Sequence, residues 1–221
     1  MTTMIAALPS AGGKSCWSCQ GLVTGGSFCP TCQVIQPPDQ KQDFFQLFGL
    51  PPAFPVESLP LEQTYQSLQK QFHPDRFATR SATERRFSLE QVTRLNQAYQ
   101  TLRDPLTRSE YLLERLGFVS TGPGQQEAQD PEFLLEVMEQ REALAAVPLT
   151  SVGMTQLGRL RAQAEAQIAG EHAALARLFA ECATSAEPDR WREIARTNHR
   201  LRYHRRFLEA LDQAEEHVLG S

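Results

Sequence analysis

Two short stretches of this sequence combine residue types and spacings that suit chemistry. The first, CWSCQGLVTGGSFCPTC, holds two Cys-x-x-C pairs separated by nine residues. The second, QFHPDRF, holds a histidine, a proline and an aspartate in a row. Thiolates in paired turns bind metal ions, whereas a neighbouring imidazole and carboxylate suit either proton transfer or recognition by another protein.

The cysteine pairs are expected to form one metal site. Each pair supplies two thiolates from a tight turn, and the two turns together complete a tetrahedral S4 site. We expect zinc, and iron is the alternative because a rubredoxin-like site uses the same ligands. Unligated or disulfide-bonded cysteines are the competing interpretation, and a thioredoxin-like redox role fits poorly because no βαβ pattern surrounds either pair. The predicted ligands are Cys16, Cys19, Cys29 and Cys32.

The segment around these cysteines, residues 14–37, is too small to hold a hydrophobic core unaided. Metal binding and folding should therefore be one event, worth on the order of 10 kcal/mol or more. We predict a small zinc-ribbon-like knuckle module with a structural metal, which adds either a contact surface or a self-association site.

The His-Pro-Asp tripeptide should interrupt a helix. Pro74 disfavours the helical conformation at His73, so a helix that runs through Phe72 should stop there. Asp75 can accept backbone hydrogen bonds in the turn. From the residues alone, the tripeptide is an ordinary helix-ending loop, a catalytic pair or a docking loop. No serine or cysteine nucleophile lies nearby in sequence, which disfavours the catalytic pair.

The elements that must position these residues are helices. Apolar residues recur at helical spacing through most of the chain and strand patterns are nearly absent, so the predicted fold class is all-α. Stretches rich in proline and glycine divide the chain. The predicted segments are the cysteine module at 14–37, a helical hairpin with flanking short helices at 41–117, a linker at 118–129 and a C-terminal three-helix bundle at 130–219.

Capping patterns mark several helix starts. Asp43 precedes a short apolar helix, and Ser81 with Glu84 forms the capping-box pattern. Asp104 and Asp130 are each followed by proline, which suits the first position of a helix. Helices are therefore expected to begin at each of these places.

Two residues test the predicted apolar stripes. Leu89 falls on the stripe of the helix that follows the His-Pro-Asp turn. Cys182 falls on the stripe of the long helix in the last block, and we expect it to be a buried thiol. No role is assigned to the histidines outside the tripeptide.

The context of the tripeptide identifies a family. An amphipathic helix ends in F-HPD-RF, and the following helices carry LNQAYQTLRDP and EYLLERLG. This arrangement resembles the J-domain of DnaJ-type co-chaperones over about residues 43–117. The ending LNQAYQTLRDPLTRSEYLLERLG is similar to the HscB branch, which serves iron–sulfur cluster assembly. The tetracysteine module ahead and the acidic helical block behind fit the same branch. A comparable tetracysteine module occurs in some HscB-like proteins, notably mitochondrial ones, and is absent from others.

The resemblance implies a co-chaperone without enzymatic chemistry of its own. The tripeptide and the preceding helix would dock on a DnaK-type (HscA-like) chaperone and stimulate its ATP hydrolysis, and Asp75 would engage a basic group there. J-domains usually carry several basic residues before the tripeptide, whereas this helix has Lys70 and the arginines follow the turn. The implied chaperone-binding residues are His73, Pro74, Asp75, Lys70 and Arg76.

The stretch DPEFLLEVMEQREAL separates into two faces on a helical wheel. Phe133, Val137 and Leu144 share one side and are expected to be core. The opposite side is apolar with a rim of carboxylates, which is typical of a partner site. The alternative is that this side packs on the preceding helical segment.

The HscB resemblance assigns that opposite side to the iron–sulfur scaffold protein. The implied scaffold-binding residues are Leu134, Leu135, Met138, Glu139, Glu142 and, from the last helix, Tyr203. The last helix also carries a series of arginines, for which we expect pairing with acids of neighbouring helices. A homodimer is a further partner state to consider.

Bulk composition limits the remaining alternatives. The net charge is -4, and basic and aromatic residues are not interleaved around the cysteines, so nucleic acid is not an expected partner. No run of eighteen apolar residues is present, so no membrane partner is expected. A general DnaJ-type co-chaperone for unfolded clients and a zinc-ribbon nucleic-acid-binding protein remain the alternatives. The N-terminal residues resemble neither a secretory nor a transit signal, which favours bacterial cytoplasm over the mitochondrial matrix.

Overall fold

The structure, a computed structural model, describes residues 13–118, 130–148, 150–182 and 188–219. Almost all regular structure in these ranges is helical, which confirms the predicted fold class. The helices are α1 (Phe44–Leu47), α2 (Ser58–Phe72), α3 (Ala82–Arg103), α4 (Pro105–Arg115), α5 (Pro131–Ala145), α6 (Ser151–Cys182) and α7 (Pro188–Leu219).

The chain divides into two compact units. The first comprises Met1–Pro51 and Glu57–Gln100, and the second comprises Pro52–Val56 and Thr101–Ser221. The cysteine module, α1, α2 and most of α3 belong to the first unit, and α4 to α7 belong to the second. All but one residue of the predicted linker at 118–129 lies outside the described residues.

The first unit opens with a miniature sheet. Strand β1 (Lys14–Ser15) pairs antiparallel with β2 (Leu22–Val23), so that Lys14 faces Val23 and Ser15 faces Leu22. An isolated bridge joins Phe28 to Ile35. Each pairing spans one cysteine pair's turn, so the strands serve to close the two turns.

Helices α2 and α3 form an antiparallel hairpin. The hydroxyl of Tyr65 donates to Asn96 Oδ1 at 3.0 Å, and its ring stacks on Tyr99 with centroids 4.1 Å apart. Nearer the turn, the buried Ser88 hydroxyl donates to the carbonyl oxygen of Phe72 at 2.6 Å. Later residues of α2 contact earlier residues of α3, as expected for antiparallel helices.

The long helices α6 and α7 form the core of the second unit. They are antiparallel, since Arg161 near the start of α6 pairs with Asp212 and Glu215 near the end of α7. Leu157 and Ala164 of α6 pack with Phe207 and Leu211 of α7 in one buried cluster, and Leu175 and Leu178 further along α6 are also buried. The buried apolar residues of α7 include Ile194, Leu201, Phe207 and Leu211.

Helix α5 runs alongside α7 in the same direction. Asp130 pairs with Arg200, and Phe133 three residues later contacts Tyr203 with ring centroids 5.5 Å apart. The side-chain amide of Gln156 on α6 donates to the Ala143 carbonyl oxygen of α5. The three predicted helices of the last block are therefore present and packed together.

The capping predictions are confirmed in the structure. Asp43 and Gln46 form a reciprocal capping box at α1. At α3, Ser81 Oγ accepts from the Glu84 backbone N–H at 3.2 Å, and Glu84 accepts from the Ser81 N–H at 3.0 Å. Asp104 caps the first turn of α4 by accepting from the Leu106 N–H at 2.7 Å.

The predictions that Leu89 and Cys182 lie on buried helix faces were wrong. Leu89 is 56% exposed, because Phe87, Ser88 and Gln91 occupy the inner face of α3 at that level. Cys182 is only partly buried, since it is the last residue of α6.

In the described ranges, no helix has the length and apolarity needed to cross a membrane.

Candidate functional site

The His-Pro-Asp tripeptide forms an exposed turn at the end of α2. His73 caps α2 with an extended backbone (φ −55°, ψ 128°), and Pro74 starts one 3-10 turn that ends at Phe77. The His73 and Asp75 side chains are 52% and 90% exposed. The buried Phe77 side chain fixes the far end of the turn. The helix therefore stops where the proline predicts, with both polar side chains outward.

Internal hydrogen bonds hold this turn in shape. The Asp75 backbone N–H donates to His73 Nδ1 at 3.3 Å, and the Asp75 carboxylate lies 3.6 Å from the same nitrogen. The Arg76 N–H donates to the His73 carbonyl oxygen, and its guanidinium donates to the Lys70 carbonyl oxygen at 3.2 Å. The Asp75 backbone N–H and carboxylate thereby orient the imidazole of His73.

Basic residues flank the turn, with Lys70 before it and the arginines after it, as the sequence indicated. Lys70, Arg76 and Arg80 are all exposed. Arg85 donates to the Arg80 carbonyl oxygen at 2.6 Å, and Arg86 lies over the Phe87 ring at 4.9 Å. The surface around the tripeptide therefore combines a protruding carboxylate with a cationic border.

The four cysteines meet in one cluster. Their sulfur atoms all lie within 4.8 Å of one another, with Cys16–Cys32 and Cys19–Cys29 separations of 3.7 Å. A disulfide would need about 2.0 Å. Four sulfurs at the corners of a tetrahedron with 2.3 Å metal bonds lie about 3.8 Å apart, so the cluster has the dimensions of a zinc or iron S4 site.

The two knuckles have matching backbones. The residues after the second cysteine of each pair, Gln20 and Gln33, both adopt left-handed conformations with φ of 63° and 60°. Their N–H groups donate to the Cys16 and Cys29 carbonyl oxygens at 3.1 and 2.9 Å. Strained non-glycine residues at equivalent positions indicate turns shaped around a common ligand.

Backbone donors and neighbouring sulfurs shift the thiol pKa values in opposite directions. Desolvation raises the pKa of Cys16, but N–H groups of Cys19 and Ser18 outweigh it and lower that pKa to about 6. At Cys32, the Val34 N–H lowers the pKa, but desolvation and the other sulfurs raise it to about 12. A metal ion bound among four sulfurs favours their thiolate forms, because it offsets the repulsion between the negative charges.

The outward face of α5 is exposed as its helical wheel predicts. Phe133 and Val137 are buried, whereas Leu134, Leu135 and Met138 are 46%, 59% and 52% exposed. Glu139 and Glu142 are also exposed along the same helix. We call these five residues the α5 ridge: Leu134, Leu135, Met138, Glu139 and Glu142.

A groove of about 280 Å³ lies between α5 and α7, next to the α5 ridge. Phe133, Val137 and Phe207 supply apolar lining, and Leu134 belongs to both groove and ridge. The half-buried Tyr203 donates its hydroxyl proton to the Val137 carbonyl oxygen at 3.2 Å. The structure thus brings Tyr203 to the groove rather than to the crest of the ridge.

Four arginines in the middle of α7 fall into two groups. Arg200, Arg202 and Arg205 pair with Asp130, Glu110 and Asp104 at 2.5–2.6 Å, as expected for a basic face joined to neighbouring acids. Arg206 also lines the groove but forms no ion pair within the described residues. From α5, Arg141 lies over the Tyr203 ring at 6.0 Å and likewise has no carboxylate partner among those residues.

Comparison with known proteins places these features in a family. A family model described as the HSCB C-terminal oligomerisation domain matches residues 129–212. A "Co-chaperone protein HscB homolog" from Vibrio vulnificus is 34% identical over 180 residues, which cover 80% of this chain and 98% of the relative. The chain belongs to the HscB co-chaperone family.

Further HscB proteins support this membership. The mouse "Iron-sulfur cluster co-chaperone protein HscB" is 40% identical over 144 residues, covering 62% of this chain and 61% of the relative. The crystal structure of human co-chaperone protein HscB matches with a TM-score of 0.81 at 30% identity, covering 91% of this chain and 98% of the human one. These HscB relatives are named as co-chaperones and not as enzymes.

Sequence reasoning missed three features of this HscB-family chain. Gln36 is buried against Cys16, His204 is buried between α5 and α7, and Arg141 turns toward the groove. The spacing of Gln36, four residues after the last cysteine, is a local signal that could have been used. His204 and Arg141 carry no comparable signal, because their surroundings come from distant helices.

Proposed function

We propose that this HscB-family chain links an iron–sulfur cluster scaffold protein to a DnaK-type chaperone. The His-Pro-Asp turn docks on the chaperone and stimulates its ATP hydrolysis, and the α5 ridge with Tyr203 holds the scaffold. Cluster transfer is promoted because both partners are held by one molecule, which raises their effective concentration.

One observation carries this proposal. In a member of the HscB family, the break at Pro74 leaves His73 and Asp75 exposed while the two helices behind them are locked together. A polar turn held by its own backbone bonds loses little conformational entropy when it binds. Asp75 then offers a carboxylate for a charge-assisted contact with a basic group on the chaperone.

His73→Gln tests the chaperone-docking role. We expect stimulation of the chaperone's ATPase to fall by more than about tenfold, the equivalent of one lost contact of roughly 1.4 kcal/mol. Helix content by circular dichroism should be unchanged, because the hydrogen bonds that His73 forms with described residues lie within its own turn. The matched control is His217→Gln, an exposed histidine in the last turn of α7. Full stimulation by His73→Gln would refute the proposal.

The scaffold surface is proposed to have two parts of opposite charge. The α5 ridge offers apolar side chains with Glu139 and Glu142, and the groove beside it offers Arg141 and Arg206. A scaffold segment that fits should place apolar residues on the ridge, basic residues near its glutamates and a carboxylate at the groove.

Leu135→Ala with Met138→Ala tests the ridge. Two exposed anchors at an interface centre should together weaken scaffold binding by at least about 30-fold, or 2 kcal/mol. The control is Val152→Ala, an apolar residue of α6 that is 69% exposed. Calorimetry with the purified scaffold measures the affinity, and unchanged affinity in the double variant would remove the ridge from the interface.

The metal is proposed to be zinc in a structural role, with iron as the alternative. The closed set of four cysteines leaves no open coordination position for substrate, as in structural S4 sites. Metal analysis of the purified protein should return one zinc ion per chain. One iron per chain with visible absorption would assign the alternative, and a stoichiometric absence of both would refute the metal site.

A second candidate function is a general DnaJ-type co-chaperone for unfolded clients. The exposed apolar side chains of the α5 ridge favour it, since unfolded chains also bind such surfaces. It predicts binding to many denatured proteins and none to the scaffold.

We propose the bacterial cytoplasm as the compartment, supported by the bacterial relatives matched along 98% of their length, with the mitochondrial matrix as the alternative.

A further inference from the structure

A buried glutamine joins the cysteine cluster to the helical hairpin. The side-chain N–H groups of Gln36 donate to Cys16 Sγ at 3.4 Å and to the Val34 carbonyl oxygen at 3.0 Å. The backbone carbonyl oxygen of Gln36 accepts from the side-chain amide of Gln91 on α3 at 3.0 Å. Gln36 and Gln91 are 6% and 3% exposed, so water does not compete for these bonds.

Each knuckle also places an aromatic ring on one helix of the hairpin. Trp17, beside Cys16, meets Phe87 of α3 edge-on with centroids 5.8 Å apart, and its indole N–H donates to the Ile35 carbonyl oxygen. Phe28, beside Cys29, stacks on Phe72 of α2 at 6.1 Å. The first knuckle therefore contacts α3 and the second contacts α2.

The second contact lies next to the docking turn. Phe72 is the residue immediately before His73, and its carbonyl oxygen is the acceptor for the buried Ser88 hydroxyl. A change in the packing of Phe28 thus acts on the last residue of α2 and on the bond that ties it to α3.

We propose that Gln36 is a positioning residue that couples metal binding at the four cysteines to the stability of the α2–α3 hairpin. An N–H donor to a metal-bound thiolate stabilises that ligand, and the same residue fixes Gln91 through its backbone. The knuckles fold only around the metal, so their contacts to Gln91, Phe87 and Phe72 depend on it. The metal accordingly helps to hold the His-Pro-Asp turn in its docking conformation.

Linkage makes this coupling reciprocal. If metal binding stabilises the hairpin, an intact hairpin must raise metal affinity by the same factor. A substitution on α3 that touches no cysteine should therefore weaken metal binding. This consequence separates coupling from a module that is merely attached to the hairpin.

Three variants of the full chain test it. Gln36→Leu removes both N–H donors at nearly constant volume, Gln91→Leu removes the bond from α3, and Gln97→Leu is the control on the exposed face of the same helix. Zinc affinity is measured by competition with a chromophoric chelator. Hydrogen exchange of α2 and α3 amides is measured on zinc-loaded and chelator-treated protein.

We expect Gln36→Leu and Gln91→Leu each to lower zinc affinity by about tenfold, the lower end for partners behind a metal ligand, and Gln97→Leu to leave it unchanged. Removing zinc from the wild-type chain should speed exchange around Phe72 and Phe87 by at least about tenfold. If a variant fails to fold, hydrogen exchange of the wild-type chain with and without zinc still tests the coupling.

Two outcomes would overturn the coupling. One is wild-type zinc affinity in Gln91→Leu, and the other is unchanged hairpin exchange after zinc removal. Neither measurement uses the chaperone. Only the inference that the metal helps to hold the His-Pro-Asp turn in its docking conformation rests on the proposed function. Loss of coupling would leave that function standing, whereas a failure of His73→Gln to act would leave the coupling standing.

Discussion

His204 is the buried titratable residue with the clearest consequence for stability. It is 2% exposed, and the Phe133 ring lies 5.7 Å away edge-on. Desolvation first, and the charge of Arg200 second, lower its pKa to about 4. His204 is therefore neutral in the folded protein at pH values where an unfolded histidine, with a pKa near 6.5, binds a proton.

The free energy of unfolding should consequently fall on acidification. Between pH 6.5 and pH 4 the unfolded chain binds the proton and the folded chain does not, so stability is complete above this window and is lost through it. We expect a loss on the order of 1–2 kcal/mol between pH 7.5 and pH 5. Urea denaturation at the two pH values measures it.

The matched variant is His204→Leu, which cannot titrate. Its loss of stability over the same pH interval should be smaller than that of the wild type. His172, whose pKa is lowered mainly by desolvation, acts in the same direction and will leave part of the slope. A variant with the full wild-type pH dependence would contradict the assignment to His204.

At the scale of elements, Asp104 joins the start of α4 to α7. Its carboxylate accepts from the Leu106 N–H at 2.7 Å as an N-cap, and it also accepts from Arg205 at 2.6 and 3.0 Å. Desolvation raises the pKa of Asp104, but Arg205 and the backbone donors outweigh it and lower that pKa. One side chain thus serves both a helix end and a contact between helices.

Substitutions at Asp104 should separate these two roles. Asp104→Asn keeps a capping oxygen and loses the ion pair, whereas Asp104→Ala loses both. We expect destabilisation of about 1 kcal/mol for Asn and about 2 kcal/mol for Ala, because each contribution is worth roughly 1 kcal/mol. Thermal unfolding gives the order, and equal stability of the two variants would show that the cap contributes nothing.

At the scale of the whole molecule, the two proposed partner sites belong to different compact units of one chain. His73 lies in the first unit, and the α5 ridge lies in the second. If tethering on one chain is what couples the partners, each site is useful only when the other is intact in the same molecule.

A complementation experiment examines this requirement. His73→Gln and the Leu135→Ala/Met138→Ala variant are mixed, and chaperone ATPase stimulation is measured with limiting scaffold. We expect the mixture to give less than about one tenth of the wild-type scaffold-dependent stimulation, because no single chain then holds both partners. Restored stimulation would instead show that a homodimer supplies one site from each copy. Each variant alone provides the baseline.

The amino-acid sequence by itself determined the local structure of this protein. The helix starts at Asp43, Ser81 and Asp104 and the break at Pro74 are set within a few residues, because caps and proline act through adjacent backbone groups. The placement of two sulfurs by each knuckle was predictable for the same reason, since each Cys-x-x-C turn positions its own two cysteines. The family resemblance then implied the partners, and those residue roles stay predictions.

Only the tertiary structure decided which side chains meet across elements. It exposes Leu89, draws Tyr203 into a groove with Arg141 and buries Gln36 between a thiol and α3. An apolar stripe predicts that one face of a helix is buried. It does not predict which helix packs against that face or how many of its residues the contact buries. Burial and pairing over long sequence separations depend on how elements pack, and no short window of the chain contains that information.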